Sequence, residues 1–164
     1  MSEPQILIIR SVSFQQLDQN LPKLQEAFPG ARIALLTHAH GVRQAEKYRA
    51  IHRVLAYPFK EGFHYRRRAA DMKREQFDAV VIPVTNLSGT GFFNVLLFSL
   101  TIPSKRRFVC NMVSDIWEVS ASRIIWMGVR HLLFQAVSSI LSLLLGIFAV
   151  LFLPFGLKRL SKNK

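Results

Sequence analysis

The feature that most constrains this chain is an uncharged apolar run near its carboxyl end. Residues 132–156 read LLFQAVSSILSLLLGIFAVLFLPFG, which is 25 residues without a formal charge. A helix of that length extends about 38 Å and can cross a hydrocarbon core of roughly 30 Å. A core helix of a small soluble protein would be shorter and would keep a polar stripe. The run therefore predicts a membrane-embedded helix.

The charges around the run leave its topology open. Arg130 precedes it, and the tail LKRLSKNK, with Lys158 and Arg159, follows it. Because cytoplasmic flanks favour Lys and Arg, both ends are expected on the cytoplasmic side. A single span would export the basic tail. Two spans need about 40 apolar residues, and even the stretch 124–157, interrupted by Arg130 and His131, is shorter than that. The pattern slightly favours a re-entrant or monotopic helix over a single span.

Within the run, three features predict where such a helix would bend or stop. The serine pair at residues 138–139 and Gly146 are the expected break points, and Pro154 is expected to end the helix. Trp117 and Trp126 lie upstream, where amphipathic aromatic side chains suit the lipid–water interface.

Composition points to an anionic partner and a reducing compartment. The chain has 22 Lys and Arg against 10 Asp and Glu, a net charge of +12. Beside a membrane segment this charge favours anionic lipid headgroups, and no recognisable module supports nucleic-acid binding. The single cysteine, Cys110, excludes an intrachain disulfide. The amino terminus does not resemble a signal peptide, so we expect the soluble part to stay in the cytosol.

The first two thirds of the chain alternate between strand-like and helix-like segments. Strands are predicted at residues 5–10, 31–37, 53–57, 77–84 and 106–110, and helices at 17–28, 42–50, 65–76 and 92–102. Strands and helices in alternation imply an α/β fold, here one Rossmann-like parallel sheet of about five strands with flanking helices. We expect this domain at 1–115, an amphipathic connector at 116–131, the membrane segment at 132–157 and a basic tail at 158–164.

In such a sheet, ligands bind outside the carboxyl ends of the strands, which directs attention to the loops there. The loop TNLSGTGF, residues 85–92, follows the strongest strand and opens a helix, so its backbone N–H groups suit an anion. It lacks the endings of a P-loop or a dinucleotide fingerprint, and an ordinary capped turn explains it equally well.

Histidine and arginine side chains supply the other candidates. His38 and His40 flank a strand end without a third ligand nearby, which favours a polar loop over a metal site. Arg66 and its two arginine neighbours lie on the predicted basic helix, either solvated or pressed on anionic lipid, and the membrane segment favours lipid. The expected membrane-surface residues are Arg66, Arg67, Arg68, Trp126, Arg130, Lys158 and Arg159.

Several segments resemble the amino-terminal half of heptosyltransferase-like glycosyltransferases, the GT-B family that includes the ADP-heptose transferases of lipopolysaccharide synthesis. They are ILIIRSVS with a proline twelve residues after its arginine, AFPGARIALLT, REQFDAVVIPVTNLSGTGF and IPSKRRFV, which together cover roughly residues 5–110. In that family the amino-terminal half receives the acceptor and a second half holds the nucleotide sugar. Here a membrane segment stands in place of the second half.

The resemblance fails at the residue that the family uses as general base. The family usually carries Ser-Leu-Gly-Asp after the strand-ending arginine, whereas this chain has Ser13, Phe14, Gln15 and Gln16. An amide cannot accept a proton as a carboxylate does. No catalytic residue, metal or cofactor is therefore assigned. The candidate acceptor- or ligand-contacting residues are Arg10, Ser13, Gln16, His64, Asn86, Ser88, Gly89 and Thr90.

Three functions follow from this pattern as hypotheses. The favoured one is a membrane-anchored accessory subunit of a split glycosyltransferase in cell-envelope synthesis, which presents an acceptor at the cytoplasmic face of the bacterial inner membrane. Its partners would be lipid and a second glycosyltransferase chain or another copy of itself. The alternative is a non-catalytic scaffold or lipid-binding protein. A small independent enzyme acting on a lipid phosphate is the least supported.

Overall fold

The computed structural model describes residues 3–67, 75–89 and 91–161. The chain divides into two compact units, Met1–Ile125 and Trp126–Lys164. The first unit is a mixed α/β domain. The described part of the second unit belongs to one long apolar helix.

Ten regular elements and one 3₁₀ turn make up the described chain. In chain order they are β1 (Gln5–Ile9), α1 (Phe14–Ala27), β2 (Arg32–His38), the 3₁₀ turn (Ala39–Gly41), α2 (Val42–Ala45), β3 (Arg53–Tyr57), β4 (Phe77–Pro83), α3 (Phe93–Ser99), β5 (Ser104–Cys110), β6 (Ile116–Glu118) and α4 (Ala121–Ser161). The six strands form one sheet in the order β3-β2-β1-β4-β5-β6. Five strands run parallel, and β6 pairs antiparallel with β5.

The central strands β1, β2 and β4 are buried on both faces, which explains their continuous apolar sequences. In β1, Ile6 and Ile8 face one layer and Leu7 and Ile9 the other, and all four are at most 2% exposed. Helix α1 covers the first face because its apolar residues recur at helical spacing. Outside the core cluster that α1 forms with this face, Tyr57, Phe63 and Phe98 are buried and their rings contact one another, and Leu96 and Ile102 are also buried.

The three helices predicted within the described residues all differ in their bounds, and the one predicted at 92–102 is shorter, Phe93–Ser99. Helix α1 starts at Phe14, three residues before the predicted start, because the Ser13 side chain caps it. The helix predicted at 42–50 begins at Val42 as predicted but is too long, since α2 ends at Ala45. The ends of the predicted helix at 65–76 are not helical, and residues 68–74 lie outside the described part of the chain.

The sheet also has one strand more than the five predicted. Strand β6 lies in the segment expected to be a connector, and Trp117 is part of it. The strand has only three residues, none of them buried, so its sequence carries no alternating pattern. The strand completes the sheet edge next to β5.

Helix α4 is 41 residues long and continuous. It does not break at residues 138–139 or at Gly146, and it continues past Pro154, contrary to prediction. A proline removes one backbone hydrogen bond, and a helix can retain the others around it. Among the described residues, α4 is the one helix long and apolar enough to cross a membrane, with a mean hydropathy of 1.9 over its most apolar stretch.

Candidate functional site

The candidate site lies where the loops after β1 and β4 diverge. These strands are neighbours, but the chain leaves β1 towards β2 and leaves β4 towards β5. In sheets of this kind, the crevice at such a divergence, outside the carboxyl ends of the strands, is the usual ligand position. We call this the switch-point site. It brings together the β1–α1 loop with Arg10, Ser13 and Gln16, and the β4–α3 loop.

Arg10 at the end of β1 is directed towards protein groups. Its Nε donates to Thr37 Oγ1 at 2.7 Å and its Nη1 to the carbonyl of Val12 at 3.1 Å. The guanidinium also lies over the Phe14 ring, 4.4 Å from its centroid. Partial burial lowers its pKa from the usual value. Arg10, which was predicted to contact a ligand, therefore links β1, β2 and α1.

A side chain of the β1–α1 loop and one from the first turn of α1 bind the end of β4. The Ser11 hydroxyl donates to the Pro83 carbonyl at 2.5 Å, and Gln16 Nε2 donates to the Val84 carbonyl at 2.7 Å. Ser13 accepts the backbone N–H of Gln16 at 3.3 Å and caps α1. At the position where the resembled family has a general base, this chain thus uses an amide donor to bridge the crevice.

A carboxylate at this position should weaken the fold. We expect Gln16→Glu to lower the free energy of unfolding by about 1–3 kcal/mol, because an ionised oxygen would replace the donor facing the Val84 carbonyl. Protonation would restore a donor, so the pKa of the new carboxyl should be raised. The deficit should therefore shrink as pH falls and grow as pH rises through that pKa.

Urea unfolding of the full chain in detergent micelles, at mildly acidic and neutral pH, measures this difference. Gln15→Glu is the matched control, since Gln15 is exposed in the same helical turn. A negative charge there should be neutral or slightly favourable. Equal effects of the two substitutions would contradict a structural role for the Gln16 amide.

The β4–α3 loop forms a capped turn. Asn86 Oδ1 accepts the backbone N–H of Gly89 at 2.6 Å. Gly89 and Gly91 have φ of 77° and 89°, which an L side chain rarely adopts. Ser88 is exposed at the tip, and Thr90 lies outside the described residues. The Gly89 N–H, a candidate anion donor, is thus engaged within the turn, as the capped-turn alternative predicts.

His64 lines a different cavity, on the crossover from β3 to β4. The cavity has a volume of about 430 Å³, and its walls are Glu61, Gly62, Phe63, His64, Arg66, Arg67 and Asn94. Here His64 Nδ1 accepts the Arg66 backbone N–H at 3.2 Å, and its ring stacks on Tyr65. Glu61 forms an ion pair with Arg67. His64 is therefore held locally, among side chains of its own loop.

The histidine pair after β2 is part of an aromatic cluster. His38 Nε2 lies 3.1 Å from the Glu61 carbonyl oxygen, and its ring stacks on His40 and packs against Phe63. Within residues 3–67, 75–89 and 91–161, no three His, Cys, Asp or Glu side chains form a group that could hold a metal ion.

The predicted membrane-surface residues fall in different parts of the chain. Arg66 and Arg130 are exposed, Arg67 is half-buried, and Trp126 is 64% exposed. Arg68 lies outside the described residues. Lys158 and Arg159 belong to the last turns of α4.

Sequence reasoning missed the residues that brace the switch-point site. Thr37 is buried at the end of β2 and accepts from Arg10, and the 3₁₀ turn approaches Arg10 closely at Gly41. The glycine following a strand-ending histidine pair is a signal that could have indicated the close approach.

Comparison with known proteins gave no match: no protein-family model, curated protein or solved structure is significantly similar to the chain.

Proposed function

We propose that this chain is a membrane-tethered accessory half of a split glycosyltransferase, which presents a lipid-linked acceptor to a second chain. The observation that carries the proposal is the joining, in one chain, of a doubly wound parallel sheet to a 41-residue apolar helix with exposed side chains. The sheet is of the type that receives substrates at its carboxyl edge. The helix supplies the contact with lipid.

The membrane part of the proposal is supported by the exposure of α4. Leu132, Phe134, Leu143 and Val150 are between 63% and 75% exposed, and other apolar side chains between them are similar. Monomeric soluble proteins rarely expose contiguous apolar surface on this scale, because each Å² left in water costs about 25 cal/mol. A bilayer covers such a helix, and the basic flanks favour the cytoplasmic face.

The accessory role is supported by the chemistry of Gln16. Its amide donates to the Val84 carbonyl and so bridges the loops of the switch-point site. A transferase acting alone needs a group that accepts the proton of the acceptor hydroxyl, and the carboxylate of the resembled family is replaced here. The nucleotide-sugar half would then come from a partner chain, docked over the carboxyl edge.

The exposed Leu87 gives this docking surface a testable anchor. It lies in the β4–α3 loop and is 63% exposed. We expect a glycosyltransferase chain to co-purify with the full-length protein from native detergent extracts, and Leu87→Arg to abolish that association while membrane attachment persists. Gln25→Arg is the control. Gln25 is exposed near the carboxyl end of α1, and the substitution adds the same charge as Leu87→Arg.

Mass spectrometry of the co-purified material identifies the partner. A chain that elutes from membranes without any sugar transferase, with Leu87→Arg indistinguishable from wild type, would contradict the accessory role. It would favour the alternative of a non-catalytic scaffold or lipid-binding protein.

A further inference from the structure

A basic cavity follows β2, apart from the switch-point site. Its volume is about 490 Å³, and it is lined by His40, Arg43, Gln44, Lys47 and Tyr48. Arg43 and Lys47 are cationic, and His40 and Gln44 add hydrogen-bonding groups. The lining residues come from the 3₁₀ turn, α2 and the turn that follows α2.

The floor of this cavity is fixed by packing. Tyr48 stacks on Phe14 with ring centroids 5.9 Å apart, and Phe14 lies beneath the Arg10 guanidinium. Burial, together with a hydrogen bond to Asp18, raises the pKa of Tyr48 to about 12. The Tyr48 ring is thus held at both its face and its hydroxyl.

Packing also fixes the wall of the cavity that the 3₁₀ turn forms. Gly41 approaches the Thr37 side chain so closely that an added Cβ would lie 2.5 Å from Thr37 Oγ1. One residue earlier, His40 stacks on His38 at 5.7 Å. The backbone of this wall is therefore held by packing, whereas the Arg43, Gln44 and Lys47 side chains that line the cavity are exposed.

The two cations have an unbalanced charge. Arg43 lies in α2 and Lys47 in the turn that follows it, and both line this one cavity, so two like charges share a small volume. Among the described residues, neither forms an ion pair. An anion between them would remove the repulsion and accept charge-assisted hydrogen bonds from both.

We propose that this cavity binds the phosphate group of an anionic ligand, a phosphate monoester or a diphosphate. Arg43 and Lys47 bind the phosphate oxygens, and His40 and Gln44 donate to them from the rim. The cavity volume falls within the usual range for small-ligand pockets, which leaves room for an organic group beyond the phosphate. The inference is independent of the proposed glycosyltransferase role.

Calorimetric titration of inorganic pyrophosphate tests the site in the full-length chain, held in uncharged detergent micelles. We expect saturable binding that Arg43→Gln/Lys47→Gln weakens by about tenfold or more, since two charge-assisted contacts are lost. Arg49→Gln/Lys60→Gln is the matched control, because both residues are exposed and lie outside the cavity lining. This double substitution removes the same charge. Near-ultraviolet circular dichroism checks that each variant is folded.

A second experiment distinguishes the two sources from which the phosphate could come, a lipid headgroup and a soluble ligand. In nanodiscs, phosphatidic acid added to phosphatidylcholine should weaken pyrophosphate binding if the natural ligand is a lipid headgroup, and should leave it unchanged if the ligand is soluble. Either result supports a phosphate site. Absence of saturable pyrophosphate binding to the wild-type chain, or an equal loss in the two double variants, would overturn the proposal.

Discussion

Replacing Ile140 and Leu144 by arginine is expected to release the protein from membranes. Both residues lie near the middle of the apolar run and are about 60% exposed on α4 (60% and 57%). An arginine at the centre of a membrane helix costs about 2.5–3.5 kcal/mol on insertion scales, so the pair costs roughly 5–7 kcal/mol. The apolar run carries no formal charge, so neither new arginine could find an acidic ion-pair partner within it.

The control double variant changes the same two positions without introducing a charge. Ile140→Ala/Leu144→Ala shortens the side chains but leaves the run uncharged, and we expect it to remain in the membrane fraction. The measurement is the distribution of each variant between membrane and supernatant after an alkaline carbonate wash. An arginine pair that stays membrane-bound as firmly as the alanine pair would show that these positions do not lie in hydrocarbon.

Replacing Gly41 by alanine is expected to destabilise the α/β domain by about 1–3 kcal/mol through overpacking. The backbone at Gly41 has φ of −92° and ψ of −11°, which alanine adopts without strain. The cost is therefore steric, since the new Cβ would meet Thr37 Oγ1 at 2.5 Å and Arg10 Nη2 at 3.1 Å. Thr37 cannot move freely because it is buried and accepts from Arg10.

Urea unfolding of the full chain in micelles measures this cost, with Gly62→Ala as control. An added Cβ at Gly62 meets no atom within 4 Å, so that substitution should be nearly neutral. A double-mutant cycle with Thr37→Ala isolates the clash, because removing the hydroxyl should make the alanine at 41 less costly. A Gly41→Ala protein as stable as wild type would contradict the close packing of the 3₁₀ turn on Arg10.

The sheet was largely predictable because its strands carry strong local signals. The bounds of β3, Arg53–Tyr57, agree with the prediction, and β4 ends one residue earlier than predicted. Strand β4 is an apolar, β-branched run, whereas β3 carries a weaker signal with Val54 as its one β-branched residue. Strand β6 could not be predicted, because three half-exposed residues gain their strand conformation from pairing with β5. Tertiary context decides such short segments.

The candidate site was predictable in location but not in its contacts. The parallel topology places the loops after β1 and β4 together, and that follows from alternating strands and helices. The bond between Gln16 and the Val84 carbonyl joins residues 68 positions apart, which local spacing does not reveal. In the same way, Arg43 and Lys47 show their shared cavity only once the 3₁₀ turn and Tyr48 are in place.

The attachment of the domain to lipid is tested most directly by making the full-length chain without detergent and centrifuging the lysate at high speed. The account predicts that the chain sediments with membranes and resists an alkaline carbonate wash. A chain ended before α4, at Ser120, should lose that resistance. Full-length protein that remains in the supernatant as a well-behaved monomer would contradict a membrane-embedded helix and the function proposed from it.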